Sequence, residues 1–169
     1  WSGKQGIWGS VSDAFDSYDD TIIGDSGPLN RDVGSGAVDV VNWLLPLSRL
    51  IAGAQGAELS CKPSALDEPL TPTNFSIKPD SNQGSAAVGG IKIDKRGMFV
   101  QNGGTRVFQL SRDAEGGNGI DYDALDLTIM VPEIGEPGIE RMAYQRKPDT
   151  RIHCVRSDGV VAVAIFDRA

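Results

Sequence analysis

The second half of the chain alternates apolar and polar residues in short runs, a pattern typical of antiparallel β-structure. Segments 91–94, 98–101 and 105–110 are predicted to form a three-stranded meander. Turn-forming tripeptides separate them at 95–97 (Lys-Arg-Gly) and at 102–104 (Asn-Gly-Gly). Asn-Gly is a strong hairpin signal because both residues tolerate positive φ.

Four more apolar runs follow the meander, and each is predicted as a strand: 125–131, 139–146, 151–156 and 160–166. The last run reads VVAVAIF and is apolar on both faces, so we expect a central strand covered on both sides. Val163 would then be nearly inaccessible to solvent. Together these segments give about seven strands in residues 86–169, which favours an antiparallel β-sandwich or a small barrel.

The first 60 residues show apolar positions at helical spacing. In a first predicted helix, residues 5–19, these positions are Ile7, Trp8, Val11 and Phe15. A second helix is predicted over residues 35–45, where most sides are apolar and Pro46 ends the pattern. A helix of that kind needs cover from the rest of the chain or from a partner.

Residues 63–79 contain four prolines, which exclude a regular helix or an inner strand. The predicted organisation is therefore a helical N-terminal segment at 1–60, a Pro-rich extended connection at 61–85 and an antiparallel β domain at 86–169. The fold class is α+β and mainly β.

The chain is acidic, with a formal net charge of −7, which argues against nucleic-acid binding through a basic face. No apolar run reaches the roughly 18 residues that a membrane span needs. The first 60 residues hold three basic and eight acidic side chains, whereas basic residues concentrate near the last strands. We therefore expect protein subunits as partners, including other copies of the chain docked acidic end to basic face.

The chain has two cysteines, Cys61 and Cys154. It starts with Trp1, where a complete product would start with Met. We interpret that start as a processed product or an excised fragment. An even cysteine count in such a chain predicts a Cys61–Cys154 disulfide and an extracytoplasmic or secreted location. Two buried free thiols are the alternative, since free cysteine is commonly buried.

The single histidine, His153, permits one catalytic alternative. A thiol hydrolase or toxin domain would use Cys61 as nucleophile, His153 as base, and Asp158 or Asp167 to orient the imidazole. The sequence has no G-x-S-x-G elbow, no P-loop and no zinc-ligand spacing. The residues therefore favour a protein without catalytic activity.

Carboxylates at close spacing permit a second alternative, a small calcium-dependent binding module. Asp121, Asp123 and Asp126 offer the hard oxygen ligands that Ca²⁺ prefers, but they do not match an EF-hand loop. A solvated acidic loop explains the same residues. No other cofactor is expected.

The pattern as a whole predicts a noncatalytic structural or interaction subunit of a larger extracytoplasmic assembly, such as a surface appendage, a virion or a multi-subunit complex. Large apolar side chains each contribute about 1.5 to 3 kcal/mol when fully buried, so they are rarely left in solvent. The expected interface with the partner consists of five such residues: Trp43, Leu44, Leu47, Leu50 and Ile51.

Overall fold

Strands dominate the computed structural model of the chain, which describes residues 2–3, 5–33, 40–62, 68–112 and 121–166. Within these residues fourteen strands form four antiparallel sheets, and the only helix is one 3₁₀ turn. The sheets follow one another along the chain and are numbered here in that order. The prediction of a mainly antiparallel β protein is confirmed, whereas no N-terminal helix occurs in the described residues.

The first two sheets are built from the N-terminal part of the chain. Sheet 1 has the order β1-β2-β3, with β1 (Ser2–Gly3), β2 (Gly6–Gly9) and β3 (Leu29–Asp32). Sheet 2 has the order β4-β5-β6-β7, with β4 (Val41–Pro46), β5 (Leu50–Ala54), β6 (Glu58–Lys62) and β7 (Ser76–Ser81). Its edge strand β7, which contains Pro79, lies within the segment 61–85 that was predicted as an extended connection.

The other two sheets lie in the segment predicted to be β-structure. Sheet 3 contains β8 (Ile91–Ile93), β9 (Arg96–Val100), β10 (Val107–Arg112) and β11 (Tyr122–Asp126), paired in chain order. The 3₁₀ helix Pro132–Gly135 follows. Sheet 4 contains β12 (Ile139–Gln145), β13 (Arg151–Arg156) and β14 (Val161–Ile165), also in chain order.

Consecutive sheets contact one another in a series. The first strands of neighbouring sheets contact each other, β1 with β4, β4 with β8 and β8 with β12, and the fourth strand β7 contacts β11. Three apolar clusters fill the spaces between sheets 1 and 2, between sheets 2 and 3, and between sheets 3 and 4. Sheets 2 and 3 are therefore covered on both faces.

The predicted N-terminal helices are wrong because short apolar runs fit both helical and strand periods. Residues 6–9 form β2, and residues 41–46 form β4, while residues 35–39 of the second predicted helix lie outside the described residues. In β4, burial alternates, with Val41, Trp43 and Leu45 buried. β-branched and aromatic residues suit a pleated surface of this kind.

The last strand is also placed differently from the prediction. β14 is the edge strand of sheet 4, and Val163 on its outer face is 45% exposed. The inner face of β14 carries only alanines, Ala162 and Ala164, which pack against the cluster between sheets 3 and 4. The apolar run thus reflects one covered face and one uncovered face.

Trp43 packs directly over a glycine of the neighbouring strand. Gly53 is its cross-strand partner, and a Cβ atom built on Gly53 would lie 2.0 Å from Trp43 Cε2. Trp43 also contacts Phe99 of sheet 3, with ring centroids 5.8 Å apart. The missing side chain at position 53 therefore makes room for the indole between sheets 2 and 3.

We predict that Gly53→Ala destabilises the fold by about 1 to 3 kcal/mol, because overpacking a well-filled core forces side chains and backbone to shift. Urea unfolding followed by Trp fluorescence measures this loss. Gly103→Ala is the matched control, since a Cβ at Gly103 meets nothing within 4 Å. Equal stability of the two variants would contradict the packing described for Trp43.

Candidate functional site

The two cysteines lie in different parts of the core, and the predicted disulfide is wrong. Cys61 belongs to the cluster between sheets 1 and 2, and Cys154 to the cluster between sheets 3 and 4. Both are buried and unbonded. Sheets 2 and 3 and the cluster between them separate the two thiols, whereas a disulfide needs Cα atoms within about 7 Å.

The alternative thiol-hydrolase residues are not brought together. Burial raises the pKa of Cys61 to about 12, and a nearby Asp80 adds to this effect, so the thiol stays protonated. His153 lies on sheet 4 and its Nε2 is 2.9 Å from Gln145 Oε1. Asp158 pairs with Arg156 in the turn before β14, and Asp167 lies outside the described residues.

The three calcium candidates are also dispersed. Asp121 pairs with Lys78 at 2.7 Å, and Asp126 pairs with Arg106 at 2.7 Å. Asp123 accepts a hydrogen bond from the backbone N–H of Ala124. In the residues that the structure describes, no group of three or more His, Cys, Asp or Glu side chains is arranged to hold a metal ion.

The chain itself covers two residues of the interface predicted from the sequence. Trp43 and Ile51 are buried in the cluster between sheets 2 and 3. Leu44 and Leu50 are half-buried against the cluster between sheets 1 and 2, and Leu47 is half-buried against the cluster between sheets 2 and 3. Any interface with a partner therefore has to be sought elsewhere on the surface.

Three exposed aliphatic residues lie together on the outer face of sheet 4. Cross-strand register places Val161 beside Val155, Val163 beside His153 and Ile165 beside Arg151. Val161, Val163 and Ile165 are 49%, 45% and 71% exposed. We call this surface, together with Val155 on β13, the outer face of sheet 4.

Polar and basic groups lie on the neighbouring strands of the same face, with His153 and Arg151 of β13 directly beside Val163 and Ile165. Arg141 lies beside Val155 on β12, and Gln145 lies beside Arg151 at the other end of the sheet. Arg151 pairs with Asp149 at 2.9 Å, and Arg141 is exposed. The face therefore presents an apolar row along its edge strand next to polar and basic side chains, and protein–protein interfaces commonly combine both kinds of group.

Two cavities adjoin the sheets, and neither is lined by a pair of carboxylates. One, of about 190 Å³, lies between sheets 3 and 4 and has an almost entirely apolar lining. The other, of about 340 Å³, lies beside sheet 1, and Asp25 is the only acidic residue that lines it. Asp25 accepts a hydrogen bond from Thr73.

One buried carboxyl group was not expected from the sequence. Glu58 is fully buried at the start of β6, and Ser85 Oγ donates a hydrogen bond to its Oε1 at 2.7 Å. Its Oε2 has no hydrogen-bond partner in the described residues. Loss of hydration raises the pKa of Glu58, more than the neighbouring hydroxyl and backbone N–H groups lower it.

We predict that both cysteines react with a thiol reagent once the unreduced chain is unfolded, because no bond joins them. In the native protein both should react slowly, since burial raises their pKa values. Mass spectrometry of the labelled chain counts the modified thiols. If neither cysteine is labelled in the unfolded chain without reductant, the two thiols are joined in a disulfide and this prediction is wrong.

We further predict that Glu58→Gln becomes more stabilising, relative to the natural chain, as pH rises. When folding raises the pKa of a carboxyl, the free energy of unfolding decreases as pH rises from the ordinary pKa of 4.5 through the raised pKa. Glutamine cannot ionise and removes this part of the pH dependence. Denaturant unfolding at several pH values measures the difference.

Glu140→Gln, at an exposed position of β12, serves as the control for this comparison. Both variants are compared with the natural chain at each pH. If the free energies of unfolding of Glu58→Gln and the natural chain differ by the same amount at every pH, ionisation of Glu58 does not destabilise the fold.

Comparison with known proteins gives one distant likeness. No family model matches the chain. A probable beta-glucosidase E of Emericella nidulans is 27% identical over 132 residues, which is 73% of this chain and 13% of that protein. The chain thus corresponds to a small part of this relative. Among the described residues, no helix has the length and apolar character needed to cross a membrane.

Proposed function

We propose that the chain is a noncatalytic structural or interaction subunit that joins a larger assembly through the outer face of sheet 4. The observation that carries the proposal is the exposure of three large aliphatic side chains on one sheet face. Single exposed apolar residues are common, but a contiguous row of them marks an interaction surface.

The other sheets indicate what such a face contacts. In sheet 3, Met98 and Val100 face sheet 4, while Phe99 and Phe108 face sheet 2, and all four are buried. The outer face of sheet 4 has the same type of aliphatic residues without a sheet packed on them. We therefore propose that the sheets stack face to face, as in a β-sandwich, and that a partner subunit continues this stacking.

Another copy of the chain offers a complementary surface. Residues 13–25 contain five aspartates and no basic residue, and Phe15 and Ile23 in this segment are 90% and 91% exposed. The rim of sheet 4 carries Arg141, with Arg146 and Lys147 exposed nearby. An acidic apolar surface at one end and a basic apolar surface at the other suit head-to-tail contacts between copies.

The beta-glucosidase likeness gives no reason to assign glycoside hydrolysis. The aligned region is 13% of that protein, and glycosidases commonly act with two carboxyl groups flanking the bond that is cleaved. The cavities described above contain no such pair. The location outside the cytoplasm stays a prediction, and the two unbonded thiols remove one of the two observations on which it was based.

We predict that Val163→Asp weakens self-association at least about tenfold in dissociation constant, because it places a charge at the centre of the apolar face. The position is half exposed in the isolated chain, so the monomer should keep its fold. Analytical ultracentrifugation over a range of concentrations measures association, and circular dichroism measures folding.

Val160→Asp is the matched control, because Val160 is 51% exposed in the turn before β14 and lies outside the paired face. This variant should associate like the natural chain. A natural chain that stays monomeric at the highest soluble concentration, or equal association of both variants, would contradict the proposal that copies meet through this face.

A further inference from the structure

The edge of sheet 4 lacks a strand that sheets 2 and 3 possess. Those two sheets each have four strands in chain order, whereas sheet 4 has three in the described residues, and β14 pairs only with β13. An edge strand leaves a row of backbone N–H and C=O groups that can pair with another strand. The position beside β14 corresponds to that of β11 beside β10.

The hydrogen-bond pattern shows which residues offer these groups. Arg156 N–H donates to Val160 O, and Phe166 N–H donates to Thr150 O, both at 2.9 Å. In an antiparallel pair, alternate residues direct their backbone groups to the same neighbour. Residues 160, 162, 164 and 166 therefore face β13, and the backbone groups of Val161, Val163 and Ile165 point to the open edge.

An apolar cavity borders the same edge. Ala162 and Ala164 of β14 form part of its floor, and Leu127, Val131 and Ile134 cover it from the segment that follows β11. Its volume of about 190 Å³ exceeds the ~150 Å³ of an engineered apolar cavity that binds benzene. The cavity can therefore accept a large apolar side chain beside the two small alanines.

Sheet 3 shows how a fourth strand fills such a space. β11 pairs with β10 along its whole length and directs Tyr122 into the cluster between sheets 2 and 3. Tyr122 is buried there, and its hydroxyl group hydrogen-bonds with that of Ser48 in the turn between β4 and β5. A fourth strand on sheet 4 would direct alternate side chains into the cavity in the corresponding way.

We infer that the open edge of β14 and the adjoining cavity form a strand-addition site. Its occupant is an extended segment of a partner protein, antiparallel to β14, with large apolar side chains at alternate positions that enter the cavity. This inference rests on the proposed role in assembly and states the chemistry of the partner. Backbone hydrogen bonds supply affinity in this recognition mode, and the side-chain pocket supplies selectivity.

Synthetic peptides test the site on the full chain. The probe is a nine-residue peptide that alternates leucine with threonine and carries a terminal lysine and a fluorophore. One control has the same composition with the leucines grouped together. A second control is methylated at the backbone nitrogens on one edge. We expect the alternating peptide to bind at least about tenfold more tightly than either control in fluorescence anisotropy.

Hydrogen exchange measured by NMR locates the bound peptide. The amides of Val161, Val163 and Ile165 should gain protection, because they point to the open edge. Ala164→Leu fills the cavity from its floor and should weaken binding about tenfold. Arg141→Ala alters the outer face on β12, away from the open edge, and should leave peptide binding unchanged. If Ala164→Leu does not fold, the site is tested by the amide protection that the peptide produces in the natural chain.

Several outcomes would overturn the inference. Equal binding of the three peptides would show that no backbone pairing occurs. Peptide-independent protection of the same amides that increases with protein concentration would assign the edge to a second copy. If the peptide does not bind while Val163→Asp still disrupts self-association, the strand-addition site is wrong and the proposed assembly role stands. If the peptide binds but the chain does not self-associate, the strand-addition site stands and the proposed contact between copies is wrong.

Discussion

The packing of Trp43 between sheets 2 and 3 is the contact on which the order of the sheets depends. Its indole lies over Gly53 and against Phe99, which in turn stacks near Phe108 with centroids 5.7 Å apart. Burial of apolar surface is the main favourable contribution to folding. The middle cluster joins the two sheets that are covered on both faces, so its loss would separate the N-terminal sheets from the C-terminal ones.

A buried polar contact fixes the connection between the same two sheets. Ser85 lies on the segment that leaves sheet 2, and it donates from its hydroxyl group to Glu58 and accepts from Asn42 Nδ2 at 2.7 Å through its carbonyl. Burying a carboxyl without a cation costs free energy, which the raised pKa of Glu58 reflects. The apolar cluster supplies stability, and this polar contact places the backbone that leads to sheet 3.

The two ends of the sheet series differ in what they present. Sheet 4 ends the series with an aliphatic face and with an open strand edge beside an apolar cavity. At the other end, beside sheet 1, the exposed residues include Asn30 and Asp32 of β3 and the aspartates of residues 13–25. Because face and edge use different atoms of β14, side chains in one case and backbone in the other, they can contact different parts of an assembly.

The sequence by itself determined most strands after residue 86, because alternation and Asn-Gly turns depend on neighbouring residues. It did not determine β4, since Val41 to Leu45 fits a helix and a strand equally until sheets 1 and 3 cover its two faces. The location of Cys61 and Cys154 in separate clusters, and the exposure of Val163, depend on which sheet packs on which. Long-range packing decides such contacts, and local patterns in the chain carry no information about it.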